Sequence, residues 1–488
     1  MAIMLNSNIA TVIYENAQLR PEAAAIITDQ QVVNYAEMKR YVSILARHFR
    51  GYGVEPGQVV GVTMLQNPLH LLTLLALAQI GAVSLPLHPA IPAERRLLAA
   101  QRFGASCVVS GRNEFALEGM GFIGFNGVFF DAGITGDEAI CLAEVDTPLR
   151  IDVSSGTSGN PKAMLLTHGL ATQRKQTSDA GATPWSRVIS VDLNFIVGFR
   201  TAINSIARGG SLIFSASIAV QDVMQSMITH RVTHAYLSPL QVRDMLALTG
   251  TQIPVFPDIV CLRFIGGAVS ADLLEATMQR LSPHVYISYA STESNVVSIA
   301  TPEMLRRHPD TSGQVCEYAT VEIVDDEDNV LPVGTTGNMR IRSSHQVSGY
   351  YRDEVRNQRH FRNGWFYPGD LGHFDAEGLL YMDGRADDQI NIGGMNINPE
   401  DVEATLAAHP AIIDAGVFVA AQGEDKEVSA VALVLRDPSR LDEVQAYADA
   451  KLGPLAPVRY FATTTLPRTQ TGKIRRAELA AMFKLADI

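Results

Sequence analysis

A short loop rich in hydroxyl groups and glycine is the clearest chemical feature of this chain. Residues 154–162 read SSGTSGNPK and follow a β-branched run that ends at Val153. Glycine lets the backbone bend with positive φ, and successive N–H groups in such a bend can form a concave anion-binding site. The four hydroxyls and one ammonium group can donate hydrogen bonds to phosphate oxygens. The composition therefore predicts phosphate binding, although it is also typical of an ordinary surface loop.

The order of residues in this loop excludes a Walker motif, which requires Gly-x4-Gly-Lys followed by Ser or Thr. In this chain Lys162 follows Pro161 instead. We therefore expect a different phosphate-binding segment, whose candidate residues are Ser154, Ser155, Gly156, Thr157, Ser158, Gly159 and Lys162.

Two segments downstream carry groups that suit a nucleotide and a metal ion. Residues 288–293 read SYASTE. Tyr289 offers a ring face to a base, although a buried core position is common for tyrosine. Glu293 is a hard oxygen ligand suited to Mg²⁺, and Thr292 can donate to a phosphate. A Thr-Glu pair by itself is also typical of a helix N-terminus. Residues 263–269 read RFIGGAV, where paired glycines either admit a flat group or form a strand-end turn.

Two further segments place charged groups in turns near the C-terminal part of the chain. Residues 365–375 read WFYPGDLGHFD, with Asp370 after Pro368 and Gly369. A turn aspartate usually accepts from its own backbone, but its carboxylate can also accept from two hydroxyls. Residues 467–476 read PRTQTGKIRR and present Lys473 in a basic loop, which is ordinarily just solvated.

Taken in order, these segments resemble the acyl-adenylate-forming enzymes, the AMP-dependent synthetase/ligase superfamily. That superfamily includes acyl- and aryl-CoA synthetases, peptide-synthetase adenylation domains and firefly luciferase. The matching series runs from residue 151 to 476, and NYAEM at 34–38 matches weakly. The chain departs from the family pattern at three positions. It has Ala163 and Ala290 where the family usually has glycine, and Pro368 where threonine is usual.

The resemblance implies a role for each matching position. Gly267 and Ala268 border the adenine and acyl sites, and Tyr289 stacks the base. Asp370 and Arg385 contact the ribose, with a phosphate as an alternative partner for Arg385. Glu293 binds the metal ion, Thr292 contacts a phosphate, and Lys473 bridges the substrate carboxylate and the α-phosphate. The remaining implied positions are a hinge at Asp387, a thiol tunnel at Gly393 and Gly394, and an acyl pocket formed by Phe195, Gly198, Gly266 and Ala290.

The resemblance also implies a reaction in two steps. A carboxylic acid attacks the α-phosphate of ATP–Mg²⁺, which gives an acyl-adenylate and pyrophosphate. A thiol then displaces AMP, with coenzyme A as the expected acceptor and a carrier protein acting in trans as the alternative. A luciferase-like oxygenase and a non-catalytic nucleotide binder are rival interpretations, and retention of Lys473, Glu293, Asp370 and Arg385 argues against the second.

The acyl pocket is the least determined part of the prediction. Residues 191–199 read VDLNFIVGF, and registering the family pattern on Gly198 puts Phe195 where histidine is frequent. Amino-acid-activating members carry aspartate in this segment, and a buried ammonium needs such a partner. Phe195 therefore favours an aryl or short-to-medium acyl carboxylate. If the family pattern were aligned differently, Asp192 could pair with an ammonium group, and an amino acid would remain a candidate substrate.

Length and composition limit what can position these residues. A chain of 488 residues exceeds one ordinary core, so two or more domains are expected. A net charge of −12 argues against general nucleic-acid binding. The spacing of the four cysteines indicates reduced thiols rather than zinc ligands, and the N-terminus does not resemble a secretory signal. We therefore expect a cytoplasmic enzyme. Residues 56–93 lack charged side chains, but several prolines and Gly81 interrupt them, which favours a buried helix over a membrane span.

The pattern of elements predicts an α/β fold. Short apolar runs alternate with amphipathic segments such as 220–230, which indicates βαβ units and largely parallel sheets. Short strands and turns dominate 320–381, so a β-rich subdomain is expected there. The predicted organisation is a large adenylating domain at 1–384, a hinge at 385–388 and a small, mobile α/β domain at 389–488. The small domain is expected to contain helices at 399–409 and 441–452 and strands at 415–419 and 429–435.

Overall fold

The fold comes from a computed structural model that describes most of the chain. The described residues are 7–125, 138–154, 162–174, 182–250, 254–386, 390–392, 395–397, 399–421, 427–468 and 474–484. The helices are α1 (Thr11–Leu19), α2 (Tyr35–Gly51), α3 (Pro68–Gln79), α4 (Ala93–Phe103), α5 (His168–Arg174), α6 (Ile196–Ala207), α7 (Val220–Thr229), α8 (Pro239–Leu248), α9 (Ala271–Arg280), α10 (Pro302–Arg307), α11 (Glu354–His360), α12 (Pro399–Ala407), α13 (Leu441–Leu452) and α14 (Arg476–Lys484).

The strands form four hydrogen-bonded sheets in the described part of the chain. They are β1 (Ala24–Ile27), β2 (Val32–Asn34), β3 (Val59–Val62), β4 (Val83–Pro86), β5 (Ala105–Ser110), β6 (Gly121–Gly124), β7 (Pro148–Ser154), β8 (Lys162–Thr167), β9 (Arg187–Ile189), β10 (Ser211–Ile213), β11 (His234–Leu237), β12 (Cys261–Phe264), β13 (Val285–Ser291), β14 (Asn295–Ala300), β15 (Thr311–Val315), β16 (Ala319–Val324), β17 (Gly337–Ser343), β18 (Phe361–Arg362), β19 (Trp365–Phe366), β20 (Asp370–Phe374), β21 (Leu380–Arg385), β22 (Ile390–Ile392), β23 (Met395–Ile397), β24 (Ile412–Ala421), β25 (Glu427–Leu435) and β26 (Arg459–Thr463).

A six-stranded sheet with the order β6-β5-β3-β4-β7-β8 is parallel except at β8. Helix α3 connects β3 to β4 and is buried on all sides from His70 to Gln79. Complete burial explains why the sequence around α3 carries no charge, because a charged side chain there would lose its hydration. Among the helices in the described ranges, none has both the length and the apolar character needed to cross a bilayer.

A second, larger sheet changes character along its length. Strands β1 and β9 to β13 pair in parallel, as the alternation of strands and helices predicts. From β13 to β21 the pairings become antiparallel, and β16 joins this part through β17. The antiparallel part is the predicted β-rich subdomain. The part of the chain up to the end of β21 is called the large unit. Its main hydrophobic core packs α2, α3 and α6 together, with buried side chains that include Phe49, Leu75 and Ile206.

The last hundred residues form a separate small sheet with its own core. Strand β25 pairs antiparallel with β24 and parallel with β26. Helices α12 and α13 pack on this sheet through Val402, Leu406 and Val444. Helix α13 has the predicted bounds, and α12 ends two residues before the predicted end. The predicted α/β unit is therefore confirmed in its elements.

The start of the predicted hinge lies at the end of a strand. The sequence suggested a hinge at 385–388, after a large domain that ends at Gly384. Gly384 and Arg385 both belong to β21, where Gly384 pairs with Leu371 and Arg385 pairs with Asp370. The charged composition suggested a linker because cross-strand pairing between distant residues is not visible in local sequence.

Candidate active site

The predicted phosphate loop joins two antiparallel strands. Strands β7 and β8 form a hairpin in which Ser154 pairs with Lys162. The Nζ atom of Lys162 lies 5.4 Å from the centroid of the Tyr350 ring, a cation–π contact. Several predicted residues lie outside the described ones: Ser155, Gly156, Thr157, Ser158, Gly159, Asp387, Gly393, Gly394 and Lys473, together with the side chain of Ser154.

Thr292 and Glu293 lie in the tight turn between β13 and β14, not at a helix N-terminus. The Tyr350 hydroxyl donates to Oε1 of Glu293 at 2.8 Å. Burial, followed by the Glu293 carboxylate, raises the pKa of Tyr350 well above its ordinary value. Tyr350 therefore keeps its proton at neutral pH and orients the Glu293 carboxylate, while its ring contacts Lys162.

Arg174, at the end of α5, donates hydrogen bonds to the backbone of the same turn. Its guanidinium is buried and donates to the carbonyl oxygens of Thr292 and Glu293, each at 3.1 Å, and to that of His345 at 2.8 Å. Burial is the main cause that lowers the pKa of Arg174, to about 10, so it remains charged at neutral pH. Helix α5 follows directly from β8, and Arg174 therefore ties the phosphate-loop hairpin to the turn that carries Glu293.

Asp370, Arg385 and Tyr289 form a second charged group. Asp370 begins β20, and Nη1 of Arg385 on the paired strand β21 lies 2.8 Å from its Oδ1. The Tyr289 hydroxyl on β13 donates to Oδ2 of Asp370, and Arg385 also donates to the carbonyl of Pro368. Burial, followed by the charge of Asp370, raises the pKa of Tyr289 well above its ordinary value. Both Asp370 oxygens are thus fixed by donors.

The predicted glycine turn follows β12, beside β13. Gly266 has φ +83°, which explains glycine there, and Gly266, Gly267 and Ala268 are exposed. Ala290 near the end of β13 is exposed as well. Because β12 and β13 are parallel, their carboxyl ends meet at one edge of the sheet, the usual ligand-binding edge in α/β folds.

Phe195 and Gly198 lie at the start of α6. A Cβ atom on Gly198 would lie 2.3 Å from the carbonyl oxygen of Asp192, so close packing of the helix on the preceding turn requires glycine. One turn along α6, Arg200 hydrogen-bonds to Asn295, two residues beyond Glu293. This bond brings the predicted acyl-pocket segment beside the Glu293 turn.

The structure therefore brings the predicted residues together around β13. Tyr289 contacts Asp370, which Arg385 also contacts, while Glu293 in the turn that follows the same strand contacts Tyr350. Sequence reasoning did not identify Arg174, Arg200, Tyr350 or His345. The hydrogen-bond partner of Arg200 is 95 positions away along the chain, that of Tyr350 is 57 away, and Arg174 reaches His345 across 171 positions. Local sequence carries no signal of such pairings.

The donor set around Glu293 suits Mg²⁺ more than a protein-caged metal. In the described part of the chain, no cluster of three or more histidine, cysteine or acidic side chains could hold an ion. Mg²⁺ usually binds one or two carboxylates plus substrate phosphate oxygens and water. A partly buried, oriented carboxylate such as Glu293 fits that requirement.

Sequence comparison agrees with this geometry. The profile of the AMP-binding enzyme family matches residues 13–351, and that of the AMP-binding enzyme C-terminal domain matches residues 401–473. The first match ends before strands β18 to β21, and the second covers the small three-stranded sheet. The chain belongs to the AMP-binding enzyme family, and the predicted acyl-adenylate-forming class is confirmed.

Individual relatives cover nearly the whole chain. A 2-succinylbenzoate–CoA ligase of Bacillus subtilis is 27% identical over 479 residues, which cover 95% of this chain and 96% of the relative. An indoleacetate–CoA ligase of Aromatoleum aromaticum is 26% identical over 503 residues, covering 95% and 96%. The structure of O-succinylbenzoate coenzyme A synthetase from B. subtilis with ATP and a magnesium ion superposes with a TM-score of 0.87, at 25% identity over 96% and 98% of the two chains.

Proposed function

We propose that this protein is an AMP-forming acid–thiol ligase that activates a carboxylic acid with ATP and transfers the acyl group to coenzyme A. The carboxylate attacks the α-phosphorus of ATP, the bond to the β-phosphate oxygen breaks, and acyl-adenylate and pyrophosphate form. The thiol then attacks the adenylate carbonyl, AMP leaves, and the thiol loses its proton. The products are an acyl- or aryl-CoA, AMP and pyrophosphate.

The observation that carries the proposal is the grouping of four motif residues around β13 and the turn that follows it. Tyr289 lies on β13 and Glu293 in that turn, while Asp370 of β20 accepts from Tyr289 and pairs with Arg385 of β21. Such fixed charges cost no reorganisation when a ligand binds, which is how a preorganised site favours a transition state. The relatives named as CoA ligases support coenzyme A as the acceptor.

Each of these side chains has a proposed task. Asp370 accepts from the ribose hydroxyls, and Arg385 holds its carboxylate in place. Thr292 donates to a phosphate, and Glu293, oriented by Tyr350, would hold Mg²⁺, which neutralises phosphate charge when bound. The loop that ends at Lys162 donates to the phosphates. Tyr289 fixes Asp370 through its hydroxyl and offers its ring to the base.

The C-terminal unit supplies the residues that change between the two steps. Lys473 bridges the carboxylate and the α-phosphate during adenylation, where a positive charge stabilises the negative charge that builds on phosphorus. A hinge at Asp387 then moves the unit so that Gly393 and Gly394 line the path of the thiol. We assign the domain limits 1–384 and 389–488 on this basis, with the hinge between them. A carrier protein acting in trans is the alternative thiol donor.

The test is pyrophosphate release with ATP–Mg²⁺ across aryl, short, medium and long carboxylic acids and amino acids, with and without coenzyme A. We expect release with one class of acid and formation of the corresponding thioester when coenzyme A is present. Release without thioester would favour a carrier protein, and ATP binding without release for any acid would contradict the proposed activity.

A pair of lysine variants tests the role of the C-terminal unit. Lys473→Ala should lower the rate of pyrophosphate release about a hundredfold or more. ATP binding should stay intact, because only the transition state depends on this charge. Lys451→Ala, at an exposed position of α13, is the matched control and should retain activity. Equal activity of both variants would overturn the assignment of Lys473.

A further inference from the structure

Polar side chains surround Phe195 at the start of α6 and have no part in the steps described above. Asp192, His88 and Phe195 lie together: the ring centroids of His88 and Phe195 are 5.9 Å apart at an angle of 31°. Nε2 of His88 is 3.5 Å from Oδ2 of Asp192. The Asp192 and His88 side chains are 17% and 19% exposed, so the pair is mostly buried but partly accessible.

One oxygen of Asp192 is used by its own turn. Oδ1 accepts from the backbone N–H and the side-chain amide of Asn194, both at 2.8 Å. The backbone of this turn is also fixed, since Arg150 donates to the carbonyls of Leu193 and Asn194. Oδ2 therefore has a defined position and is the oxygen that faces His88.

The hydrogen bonds of His88 determine which ring nitrogen carries its proton. Nδ1 accepts from the backbone N–H of Ala90 at 3.0 Å. A neutral imidazole has one donor and one acceptor nitrogen, so the proton lies on Nε2, on the side of Asp192. The pair thus presents an acceptor, Oδ2, beside a donor, Nε2–H, next to an aromatic ring.

The cluster carries negative charge at Asp192. Burial raises the pKa of the Asp192 carboxyl, but hydrogen bonds from His88 and Asn194 outweigh burial and leave the pKa below its ordinary value. Burial chiefly lowers the pKa of His70 to about 4, so that imidazole is neutral. The buried guanidinium of Arg150 is paired with Asp152 at 2.7 Å. Asp192 is therefore an ionised acceptor at neutral pH.

The cluster is connected to the turn that carries Glu293. Arg200, on the same helix as Phe195, hydrogen-bonds to Asn295 at the start of β14. A flat acid that lies against Phe195 with its carboxylate toward this turn would place its far end beside Asp192. An ionised acceptor there attracts a hydrogen-bond donor and repels a second carboxylate.

We propose that Asp192 and His88 are specificity-determining residues that select an aryl acid carrying an uncharged hydrogen-bond donor, a ring hydroxyl or amino group, over the unsubstituted acid and over a dicarboxylate. This inference rests on the proposed adenylation activity. It distinguishes this chain from the relatives named for 2-succinylbenzoate, an acid with two carboxylates.

The test compares kcat/KM for pyrophosphate release with benzoate, the three hydroxybenzoates, the three aminobenzoates and 2-succinylbenzoate. We expect at least one hydroxy or amino isomer to exceed benzoate about tenfold or more, the value of one hydrogen bond to a charged group. The hydroxy and amino series identify which donor is preferred. Equal rates for benzoate and all substituted acids, or a preference for 2-succinylbenzoate, would overturn the inference and leave adenylation established. Absence of release with all of these aryl acids, when another class of acid supports release, would overturn this inference alone. Absence of release with every class of acid, the aliphatic acids and amino acids included, would overturn the proposed function as well.

The Asp192→Asn variant tests the residue directly. Its amide oxygen would stay in the turn as the acceptor for Asn194, so its NH₂ would replace Oδ2 and present a donor. The preference for the substituted acid over benzoate should fall about tenfold, and the rate with 2-succinylbenzoate relative to benzoate should rise. Asp310→Asn, which removes the same charge at an exposed position, is the matched control. An unchanged preference in Asp192→Asn, or an equal loss with every acid, would contradict the assignment.

Discussion

A single hydroxyl illustrates how a residue outside the motifs completes the site. Glu293 has the chemistry of a metal ligand, but a carboxylate on a turn can rotate. The Tyr350 hydroxyl, 2.8 Å from Oε1, removes that freedom, and burial together with Glu293 raises the pKa of Tyr350 so that the donor is retained. The same ring lies 5.4 Å from Nζ of Lys162. One side chain therefore positions residues from both sides of the site.

Tyr350→Phe should separate these two contacts. The ring remains for Lys162, while Glu293 loses a hydrogen bond worth about 1.5 kcal/mol, since it involves a charged acceptor. We expect pyrophosphate release to fall roughly tenfold and the Mg²⁺ concentration for half-maximal rate to rise, with little change in thermal midpoint. Tyr351→Phe at the adjacent position is the control. If both variants behaved like the unmodified protein, Tyr350 would have no part in orienting Glu293.

The types of the site residues could be predicted from sequence, whereas most of their partners could not. Glu293, Asp370 and Tyr289 lie in short segments whose letters carry the resemblance, so their chemistry is visible locally. Tyr350 is separated from Glu293 by 57 positions, and its neighbourhood has no distinguishing pattern. Contacts of this kind depend on how strands are ordered in a sheet, and that order is a property of the folded chain.

Helices and strands were predicted correctly where the spacing of apolar residues and the length of the segment favour the same type of element. Helix α3 was predicted because prolines and Gly81 interrupt the uncharged stretch 56–93, and it is a buried helix that connects β3 to β4. The Thr292–Glu293 pair was ambiguous, because a helix N-terminus and a hairpin turn favour the same residue types. The pairing of β13 with β14 resolves that ambiguity. Gly384 and Arg385 pair with Leu371 and Asp370 of β20, and such pairing between strands carries no local sequence signal.

Arg174 joins helix α5 to the turn that carries Glu293, and replacing it tests that link. Its buried guanidinium links α5 to three carbonyl groups, and Arg174→Met would leave all three without that charged donor. We expect a loss of roughly 3 kcal/mol or more in the free energy of unfolding, from several bonds to a charged group. The Mg²⁺ requirement should also rise, since the Glu293 turn loses its support. Urea unfolding and Mg²⁺ titration of pyrophosphate release measure the two effects.

Two further variants separate positioning from packing in this link. Arg174→Lys keeps a charge but cannot span three carbonyls, so it should retain part of the stability and show the same rise in Mg²⁺ requirement. Arg306→Met, an exposed arginine on α10, should change neither quantity. A normal Mg²⁺ titration in a destabilised Arg174→Met protein would show that Arg174 supports only the fold.

At the scale of the whole molecule, several histidines are buried in their neutral form in different layers of the large unit. His70 lies in α3, His168 begins α5, and His345 stacks on Tyr318 with ring centroids 4.0 Å apart. Burial is the first cause that lowers the pKa of each imidazole to about 4. Unfolding of the large unit is therefore coupled to proton uptake by these histidines.

The sign of this coupling follows from the direction of the shifts. An unfolded histidine binds a proton near pH 6.5, whereas these three do so near pH 4 in the folded protein, so stability is complete above about pH 6.5 and falls as the pH drops toward 4. His168 provides a clean test, because its Nδ1 accepts from the N–H of Ile9 and the Asn side chain in His168→Asn can keep that bond without titrating. Between pH 7.5 and 5 the free energy of unfolding should fall by about 2 kcal/mol less in His168→Asn than in the unmodified protein. Urea unfolding at both pH values measures the difference, with His284→Asn, at an exposed position, as the control. Identical pH dependence in all three proteins would mean that His168 binds its proton equally well folded and unfolded, and burial of His168 would then have no role in the acid sensitivity of this fold.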